Sequence, residues 1–284
     1  MKRKSKKKGN AHRNKQQQAA GQSSKIQNFA EEMPDNLYKY HGMRGEKLDW
    51  VKNMITDSKF YFSSPNQFND PLDCQLPMSF AGSKTEIRRY LRNQGKLRGL
   101  SGKDLAKFVE ERLKDSLEMD ATTAKENINK NVGICCLSAD RGNPLMWSYY
   151  ADGHRGIILG LDIRKLAFAS RDEFLCTPLK VSYREKFSAL NYWKFDDDWD
   201  RYKAIFGVKA DYWKHEKEYR LVCMVKNGLI RVVASMLQSV TFGVSTPQRH
   251  RDLVCDWLRD RKEIELYEMK WGQNSFKLSP HRIQ

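Results

Sequence analysis

A charged segment that opens into an apolar run constrains this chain more than any other feature. Residues 213–220 are followed by the run 221–225, which is rich in β-forming residues and predicts a buried strand. Because strand side chains alternate between two faces, we expect Glu216, Glu218 and Arg220 to project from one face at the strand's entrance. Burying charged side chains costs desolvation energy, so such side chains are usually paired or belong to a functional site. The segment therefore indicates a functional site or, as an equal alternative, a surface ladder of ion pairs on an edge strand.

Length and composition predict one folded domain behind a polar lead-in. The chain has 284 residues, of which 40% are hydrophobic. Without the lead-in, about 250 residues remain, which suits one large domain. We predict a disordered basic tail over residues 1–33 and a single α+β domain over residues 34–284. No apolar run reaches the roughly 20 residues that span a bilayer. The six cysteines show no C-x-x-C spacing, which predicts a reduced, cytoplasmic protein.

The positive charge is concentrated at the N-terminus. The net charge is +16, and residues 1–25 contribute nine Lys or Arg side chains and no acidic one, which leaves +7 on the remainder. A tail with so few apolar residues cannot bury enough surface to order itself. It could contact nucleic acid or another anionic surface through nonspecific electrostatics. A solubilising extension is an equally good interpretation of the tail.

The hydrophobic pattern along the rest of the chain predicts an α+β fold with a mixed or antiparallel sheet. A helical insertion is expected over about residues 83–128, a helix from Asp196 towards Trp213, and a hairpin at Asn227 and Gly228. Other helices are predicted at 45–57, 145–151 and 247–260. Strands are predicted at 37–41, 59–63, 132–138, 156–161, 179–183, 237–243 and 264–269.

Several familiar catalytic motifs are missing from the sequence. It contains no H-E-x-x-H, no phosphate-binding P-loop, no G-x-G-x-x-G and no G-x-S-x-G. The histidines do not cluster at the spacing of metal ligands. Three consecutive aspartates, residues 196–198, are better explained as the start of a helix than as a metal site. We therefore predict no metal.

Four segments mix aromatic, polar and charged side chains beside predicted strands. They are residues 38–41, 63–73, 138–155 and 216–220. A binding pocket needs an apolar lining with a few converging polar groups, and these segments supply both. Trp147 and Tyr150 are three positions apart on a predicted helix and share a face, so they could stack on a flat ring. The alternative is that these aromatic residues belong to the core.

The order of these motifs resembles a known bacterial family. The motifs are residues 38–40, 62–73, the cysteine-rich strand that ends at Ser138, residues 146–156 and residues 213–220. Together they resemble the family catalogued as domain of unknown function 2971, over about residues 36–245. That family has been grouped by remote similarity with ADP-ribosyltransferase-like folds. The resemblance therefore implies an ADP-ribosyltransferase-like α+β fold with NAD as the cofactor.

The resemblance also implies which residues bind NAD. ADP-ribosyltransferases hold a ribose with a His or Arg on the first strand, and His41, or Lys39 on the same face, takes that place here. A second motif supplies a Tyr or Ser that lines the nicotinamide pocket. Tyr150 or Ser138 matches that motif, with Trp147 alongside. The first motif departs from the family pattern, and the second is not assigned to one residue.

A third motif of that superfamily places a Glu on a late strand, often as E-x-E. Glu216 and Glu218 match this pattern, with Glu218 as the catalytic carboxylate and Glu216 as its auxiliary. A carboxylate of this kind stabilises positive charge that develops on the ribose, and a second one orients or deprotonates the acceptor. Arg155, Lys39 or Arg220 would meet the pyrophosphate, because cations, and Arg above all, bind phosphate groups.

The leading hypothesis is an NAD-dependent ADP-ribosyltransferase-like enzyme that acts on a macromolecule, nucleic acid or protein, in bacterial defence or as a toxin. The rival is a noncatalytic module that binds nucleic acid or protein through the tail and exposed aromatic residues. A third hypothesis is a nucleotide or glycoside hydrolase with Glu216 and Glu218 as acid and base. On the leading hypothesis, Glu218→Gln should abolish NAD consumption and leave the melting temperature nearly unchanged.

Overall fold

The computed structural model describes residues 33–168, 176–195 and 197–283. The predicted basic tail, apart from Met33, lies outside the described residues, as does Asp196. The described strands are β1 (Leu37–His41), β2 (Lys59–Phe62), β3 (Met78–Ser79), β4 (Gly133–Ser138), β5 (Ile157–Leu161), β6 (Cys176–Lys180), β7 (Ser182–Arg184), β8 (Leu190–Asn191), β9 (Val208–Ala210), β10 (Glu218–Cys223), β11 (Gly228–Arg231), β12 (Leu237–Phe242), β13 (Glu265–Trp271) and β14 (Leu278–Arg282). The described α-helices are α1 (Lys47–Thr56), α2 (Lys84–Leu97), α3 (Gly102–Leu117), α4 (Ala121–Asn131), α5 (Pro144–Tyr150), α6 (Asp198–Phe206) and α7 (Gln248–Trp257).

The described residues fall into two compact units. One contains Leu76–Lys125 and Ser188–Ile205, and helices α2 and α3 there pack around a small core that includes Tyr90 and Trp193. The other contains Pro34–Gln75, Glu126–Phe187 and Phe206–Gln284. This second unit holds the large sheet and every residue of the site described below. The sequence pattern did not predict this division.

The large sheet has eight strands in the order β14-β13-β12-β5-β1-β4-β10-β6. Strands β12 and β13 are parallel, and the other neighbouring pairs are antiparallel. The prediction of an α+β fold with a mixed sheet is therefore confirmed. The region 83–128, predicted to be helical, contains α2, α3 and most of α4.

Two predicted connections are wrong. The hairpin at Asn227 and Gly228 does not form, because β10 is already paired by β4 on one edge and β6 on the other. Strand β11 pairs instead with β2. The helix predicted to run towards Trp213 ends at Phe206, and strand β9 and a 3₁₀-helix, Asp211–Glu216, fill the interval before β10. A glycine follows Phe206 in the sequence, and glycine is common just beyond a helix end.

The pairing register fixes which side chains share a face of the sheet. Ser138 lies opposite Tyr38 on one side and opposite Glu218 on the other. Residues directly opposite each other in antiparallel strands project to the same side. We call the side that carries Tyr38, Ser138 and Glu218 the front face. By alternation, Lys39 and His41 project from the back face.

Helix α5 packs against the front face and forms much of its core. Trp147 is fully buried, and its ring meets Tyr40 edge-on at 5.4 Å between centroids. Ile158 and Met269 complete the same apolar cluster. The Trp147 Nε1–H donates to the carbonyl of Arg141 at 2.9 Å, so its polar atom is also satisfied. Burial of an aromatic side chain of this size contributes strongly to stability.

Close contact between β5 and β1 requires glycine at position 156. A β-carbon on Gly156 would lie 2.2 Å from the carbonyl oxygen of His41. We predict that Gly156→Ala lowers the free energy of unfolding by about 1–3 kcal/mol or more, because the backbone must move. Chemical denaturation compares this loss with the loss in Gly272→Ala. There the heavy atom nearest to the added β-carbon, in Ser275, lies 3.2 Å away. Equal losses in the two variants would contradict the prediction.

Candidate functional site

The charged segment lies at the start of an interior strand of the large sheet. Strand β10 begins at Glu218 and lies between β4 and β6, and Glu216, Glu218 and Arg220 are all buried. The alternative of a surface ladder on an edge strand is therefore wrong. Glu216 does not belong to the strand either: it ends the 3₁₀-helix Asp211–Glu216, and Lys217 then adopts a left-handed conformation with φ of 45°. Strand alternation relates Glu218 to Arg220 but does not extend to Glu216.

Arg220 is the most completely bonded residue of the site. Its side chain is 0% exposed. Nη2 donates to both oxygens of Asp73 at 2.8 Å, and Nε donates to Glu218 Oε1 at 2.8 Å. Nη1 donates to the Phe206 carbonyl and contacts Cys74 Sγ, each at 2.8 Å. All five N–H donors of the guanidinium therefore have partners, as a buried charge requires.

Lys209 from strand β9 joins the three buried carboxylates. Its Nζ lies 2.5 Å from Glu216 Oε2, 2.9 Å from Glu218 Oε2 and 3.4 Å from Asp73 Oδ2. Burial disfavours the charge on Lys209, but attraction to the carboxylates outweighs burial and raises its pKa above the ordinary value. We call Asp73, Lys209, Glu216, Glu218 and Arg220 the charge cluster.

Glu218 is held as a carboxylate. Burial alone would raise the pKa of Glu218, but Arg220 and Lys209 hold it well below the usual range. Both of its oxygens accept hydrogen bonds from these two cations. Glu218 is therefore ionised near pH 7.

Glu216 differs from Glu218 although the two side chains are equally buried. Burial raises the pKa of Glu216, the charge of Glu218 adds to the rise, and Lys209 opposes it, so the net direction is upward. Its Oε1 accepts a hydrogen bond of 2.6 Å from the hydroxyl of Tyr150. Tyr150 is only half-buried and lies at the last position of α5.

Charge balance explains the difference between the two glutamates. The charge cluster contains three carboxylates and two cations. Arg220 lies between Asp73 and Glu218 and pairs with both at 2.8 Å, whereas Lys209 contacts all three carboxylates. Glu216 is the third carboxylate and touches only Lys209 among the cations. It is therefore the group of the cluster that takes up a proton at the least cost.

Neighbouring backbone and aromatic groups hold the charge cluster in place. Ser138 Oγ donates to the Glu216 carbonyl at 2.6 Å, and the Glu218 amide donates to the Tyr183 hydroxyl at 2.8 Å. Burial raises the pKa of Tyr183 to about 12. The Trp213 ring lies 5.2 Å from Lys209 Nζ, and its Nε1–H donates to Asp70 at 3.0 Å. Trp213 thus covers one side of the lysine ammonium.

The structure brings together five of the nine predicted site residues: Ser138, Tyr150, Glu216, Glu218 and Arg220. Sequence reasoning missed Lys209 and Asp73, which complete the charge cluster. Asp73 does lie in residues 63–73, one of the four segments that mix aromatic, polar and charged side chains. The sequence therefore marked its neighbourhood as part of a candidate site. Lys209 lies in a short strand inside a predicted helix, and no sequence pattern marked it.

His41 and Lys39 are not brought together with the glutamates. Both project from the back face, where the His41 ring meets Trp50 of α1 edge-on at 6.1 Å between centroids. Lys39 Nζ donates to the carbonyl of Cys136 at 3.2 Å. Burial lowers the pKa of His41 to about 4, so its imidazole is neutral near pH 7. A single cleft formed by His41, Tyr150 and Glu218 is therefore absent from the part of the chain that the structure describes.

Two further predicted residues also lie apart from the charge cluster. Trp147 is fully enclosed in the front-face core and presents no free ring face. Arg155 is exposed in the connection that precedes β5. Within residues 33–168, 176–195 and 197–283, no group of three or more His, Cys, Asp or Glu side chains is arranged to hold a metal ion. No described helix is both long and apolar enough to cross a membrane.

A family comparison bears on the same region. The model of the family described as "Protein of unknown function (DUF2971)" matches residues 146–221. Residues 146–221 are thus similar to that family. The predicted resemblance is thereby confirmed for this segment, which includes Tyr150, Lys209 and both glutamates of the charge cluster. No curated protein and no solved structure matches the chain. The similarity to ADP-ribosyltransferases stays a prediction.

The two glutamates of the DUF2971 segment should differ in their effect on stability. We predict that Glu218→Gln lowers the free energy of unfolding by about 3–5 kcal/mol, because it removes an anion from between two buried cations. This replaces the expectation, made from the sequence, of an unchanged melting temperature. Glu216→Gln should change stability by less than about 1 kcal/mol near pH 7, because Glu216 is the surplus carboxylate.

The pH dependence has a definite sign. The folded-state pKa of Glu216 is raised, so its ionisation destabilises the folded state as pH rises above the ordinary glutamate pKa of about 4.3. The advantage of Glu216→Gln over the unsubstituted chain should therefore grow with pH and vanish at acidic pH. Urea denaturation across a pH series measures this difference in the free energy of unfolding, and the exposed substitution Glu126→Gln is the control. A larger loss for Glu216→Gln than for Glu218→Gln would contradict this assignment.

Proposed function

We propose that this chain is an NAD-consuming, ADP-ribosyltransferase-like enzyme in which Glu216 exchanges a proton and Glu218 supplies a fixed negative charge. The observation that carries the proposal is the meeting of three distant segments at one carboxylate. Ser138 of β4 donates a hydrogen bond to the Glu216 backbone, and Tyr150 of α5 donates one to its side chain. Glu218 of β10 accepts a hydrogen bond from Lys209, the lysine that also contacts Glu216. Carboxylates with perturbed pKa values, as at Glu216 and Glu218, are common at catalytic sites.

The proposed reaction uses the two carboxylates differently. The bond between the ribose C1′ and the nicotinamide nitrogen breaks, and its electron pair leaves with nicotinamide. Positive charge then develops on the ribose, and the fixed charge of Glu218 stabilises it. The acceptor oxygen or nitrogen forms the new bond to C1′, and its proton passes to Glu216 as general base. These are the roles that the sequence led us to expect, with Glu218 stabilising charge on the ribose and Glu216 deprotonating the acceptor.

The residues present fit one part of NAD better than the rest. On this proposal, Ser138, Tyr150 and the two glutamates would serve the ribose and its leaving group. Two of the cations predicted to bind the pyrophosphate are not free to do so. The donors of Arg220 are all engaged, and Lys39 projects from the back face. Arg155, exposed and outside the charge cluster, is the remaining candidate for that role. The proposal therefore rests on the ribose side of the ligand.

The target and setting belong to the proposal as well. We infer a macromolecular acceptor, nucleic acid or protein, and a cytoplasmic role in defence or toxin activity. The basic segment 1–25 would add affinity for a nucleic-acid target, because each contact of a lysine or arginine with a phosphate releases condensed counterions.

A second candidate is favoured by a different observation. Glu218 and Arg220 are almost fully excluded from solvent and their hydrogen-bonding groups are satisfied, as in a structural ion-pair network. On this account the charge cluster fixes the fold, and the chain is a noncatalytic module that binds nucleic acid or protein. The two candidates differ in whether nicotinamide is released.

Nicotinamide release from NAD tests the proposal. The assay uses the full chain with water as acceptor, and separately with bacterial nucleic acid or protein added. We predict that Glu216→Gln lowers the rate by about 10²–10⁴-fold, as expected for loss of a general base. Tyr150→Phe should lower it less, because the carboxylate remains in place. Both variants should keep the melting temperature of the Glu126→Gln control to within a few degrees.

The outcomes separate the two candidates. Release that falls in Glu216→Gln but not in Glu126→Gln supports catalysis at the charge cluster. Full activity in Glu216→Gln would contradict the role of this residue. The absence of nicotinamide release by the unsubstituted chain with every acceptor would contradict the enzyme and favour the noncatalytic module.

A further inference from the structure

Two cysteines lie directly opposite each other at the edge of the large sheet. Cys176 is the first residue of β6, the last strand in the order of the sheet, and Cys223 is the last residue of β10. The register of these antiparallel strands pairs the two residues, and directly opposed residues project to the same side. Both are free thiols, and no other two cysteines of the described residues are paired across strands in this way.

The backbone hydrogen bonds place this pair at a non-hydrogen-bonded position. In antiparallel strands, hydrogen-bonded and non-hydrogen-bonded pairs alternate. The Val181 amide donates at 3.0 Å to the carbonyl of Glu218, the residue across from it when the register is continued by one position. Even-numbered residues of β10 therefore form the hydrogen-bonded pairs with β6, and Leu221 and Cys223 form the others. Pro178 lies opposite Leu221 and has no N–H to donate, which agrees with this assignment.

A non-hydrogen-bonded pair has the spacing that a disulfide requires. The α-carbons of such a pair lie about 4.5 Å apart, and its β-carbons are closer together than those of a hydrogen-bonded pair. A disulfide joins α-carbons about 4.4–6.8 Å apart and β-carbons about 3.5–4.5 Å apart. Burial raises the pKa of the Cys176 thiol, and its contact with the Cys223 thiol adds to the rise. The two strands therefore need not slide or separate for a bond to form between these sulfurs.

The cysteines of the neighbouring strand β4 are less well placed for a bond to Cys223. Cys135 projects from the same face but lies opposite Leu221, so it is a diagonal neighbour of Cys223 at about 7–8 Å. Cys136 lies opposite Arg220 and therefore projects from the front face. The register thus favours Cys176 over either residue of β4 as the partner of Cys223.

We propose that Cys176 and Cys223 form a site of oxidative modification, at which a peroxide converts the two thiols into a disulfide that ties β6 to β10. Cys176 is 8% exposed and Cys223 is 0% exposed, so Cys176 meets the oxidant first. Its sulfur attacks one oxygen of hydrogen peroxide, the O–O bond breaks, and a sulfenic acid and one water form. The Cys223 sulfur then attacks the Cys176 sulfur, the S–O bond breaks, and a second water leaves. The two thiols give up two electrons and two protons, which reduce one peroxide to two waters.

The cross-link lies away from the charge cluster. Cys223 ends β10 and Glu218 begins it, so their α-carbons lie about 17 Å apart along the strand. By alternation Cys223 projects from the back face, whereas Glu218 projects from the front face. The bond would hold the edge strand β6 on β10 without displacing a residue of the charge cluster. The inference is therefore independent of the proposed function.

Oxidation of the reduced full chain with excess hydrogen peroxide, followed by alkylation of the remaining thiols, trypsin digestion and mass spectrometry, tests the proposal. Trypsin cleaves after Lys180 and Arg220, so Cys176 and Cys223 fall in separate peptides. We expect these two peptides to be joined, lighter than their sum by two hydrogen atoms, and to be separated again by dithiothreitol. The melting temperature of the oxidised chain should rise by about 5–10 °C, because a disulfide that fits the folded state restricts the unfolded chain.

Serine substitutions and an unfolded sample identify the pair. Cys176→Ser should abolish both the cross-link and the rise in melting temperature, whereas Cys255→Ser, at an exposed cysteine, should keep both. The urea-unfolded chain should give a mixture of pairs among the six cysteines, so a single pair in the folded chain reflects the strand register. Three outcomes would overturn the proposal: a different predominant pair in the folded chain, oxidation to sulfinic acid without a cross-link, or an oxidised chain that melts no higher than the reduced one.

Discussion

The ion pairs around Arg220 are the interaction on which the rest of the site depends. Its guanidinium is fully buried and holds Asp73 and Glu218 together while also bonding the Phe206 carbonyl. Desolvation of such a charge is costly, and only complete pairing offsets it. The loop that carries Asp73, the backbone at Phe206 and the start of β10 are therefore held together. This arrangement leaves Lys209 to satisfy the remaining oxygens of the carboxylates.

The same pairing makes the two glutamates unequal. Arg220 pairs with Asp73 and Glu218 but not with Glu216, so Glu216 shares only Lys209 and is the carboxylate in excess. Its contact with the half-buried Tyr150 places it where the buried network meets a more accessible side chain. Burial of Glu216 within the charge cluster, together with the charge of Glu218, raises the pKa of Glu216, and Lys209 only partly opposes the rise. Catalytic sites commonly combine a fixed charge with a group that titrates.

Much of the fold could be predicted from hydrophobic periodicity, whereas the site could be predicted only in part. Alternation along β10 correctly placed Glu218 and Arg220 on one face. It could not place His41 relative to them, because faces of separate strands are related only through the pairing register. Lys209 and Asp73 were missed because the contact between them joins residues far apart in sequence. Glu216 was assigned to the right cluster for the wrong reason, since a 3₁₀-helix and not strand alternation positions it.

Carbon-13 NMR titration of the glutamate carboxyl groups tests the central claim most directly. The account predicts one buried carboxyl that titrates above the ordinary glutamate pKa and whose signal disappears in Glu216→Gln. It predicts that the Glu218 signal does not titrate until the pH is low enough to unfold the protein. A signal with raised pKa that persists in Glu216→Gln, or a Glu216 signal that titrates below the ordinary range, would contradict the account.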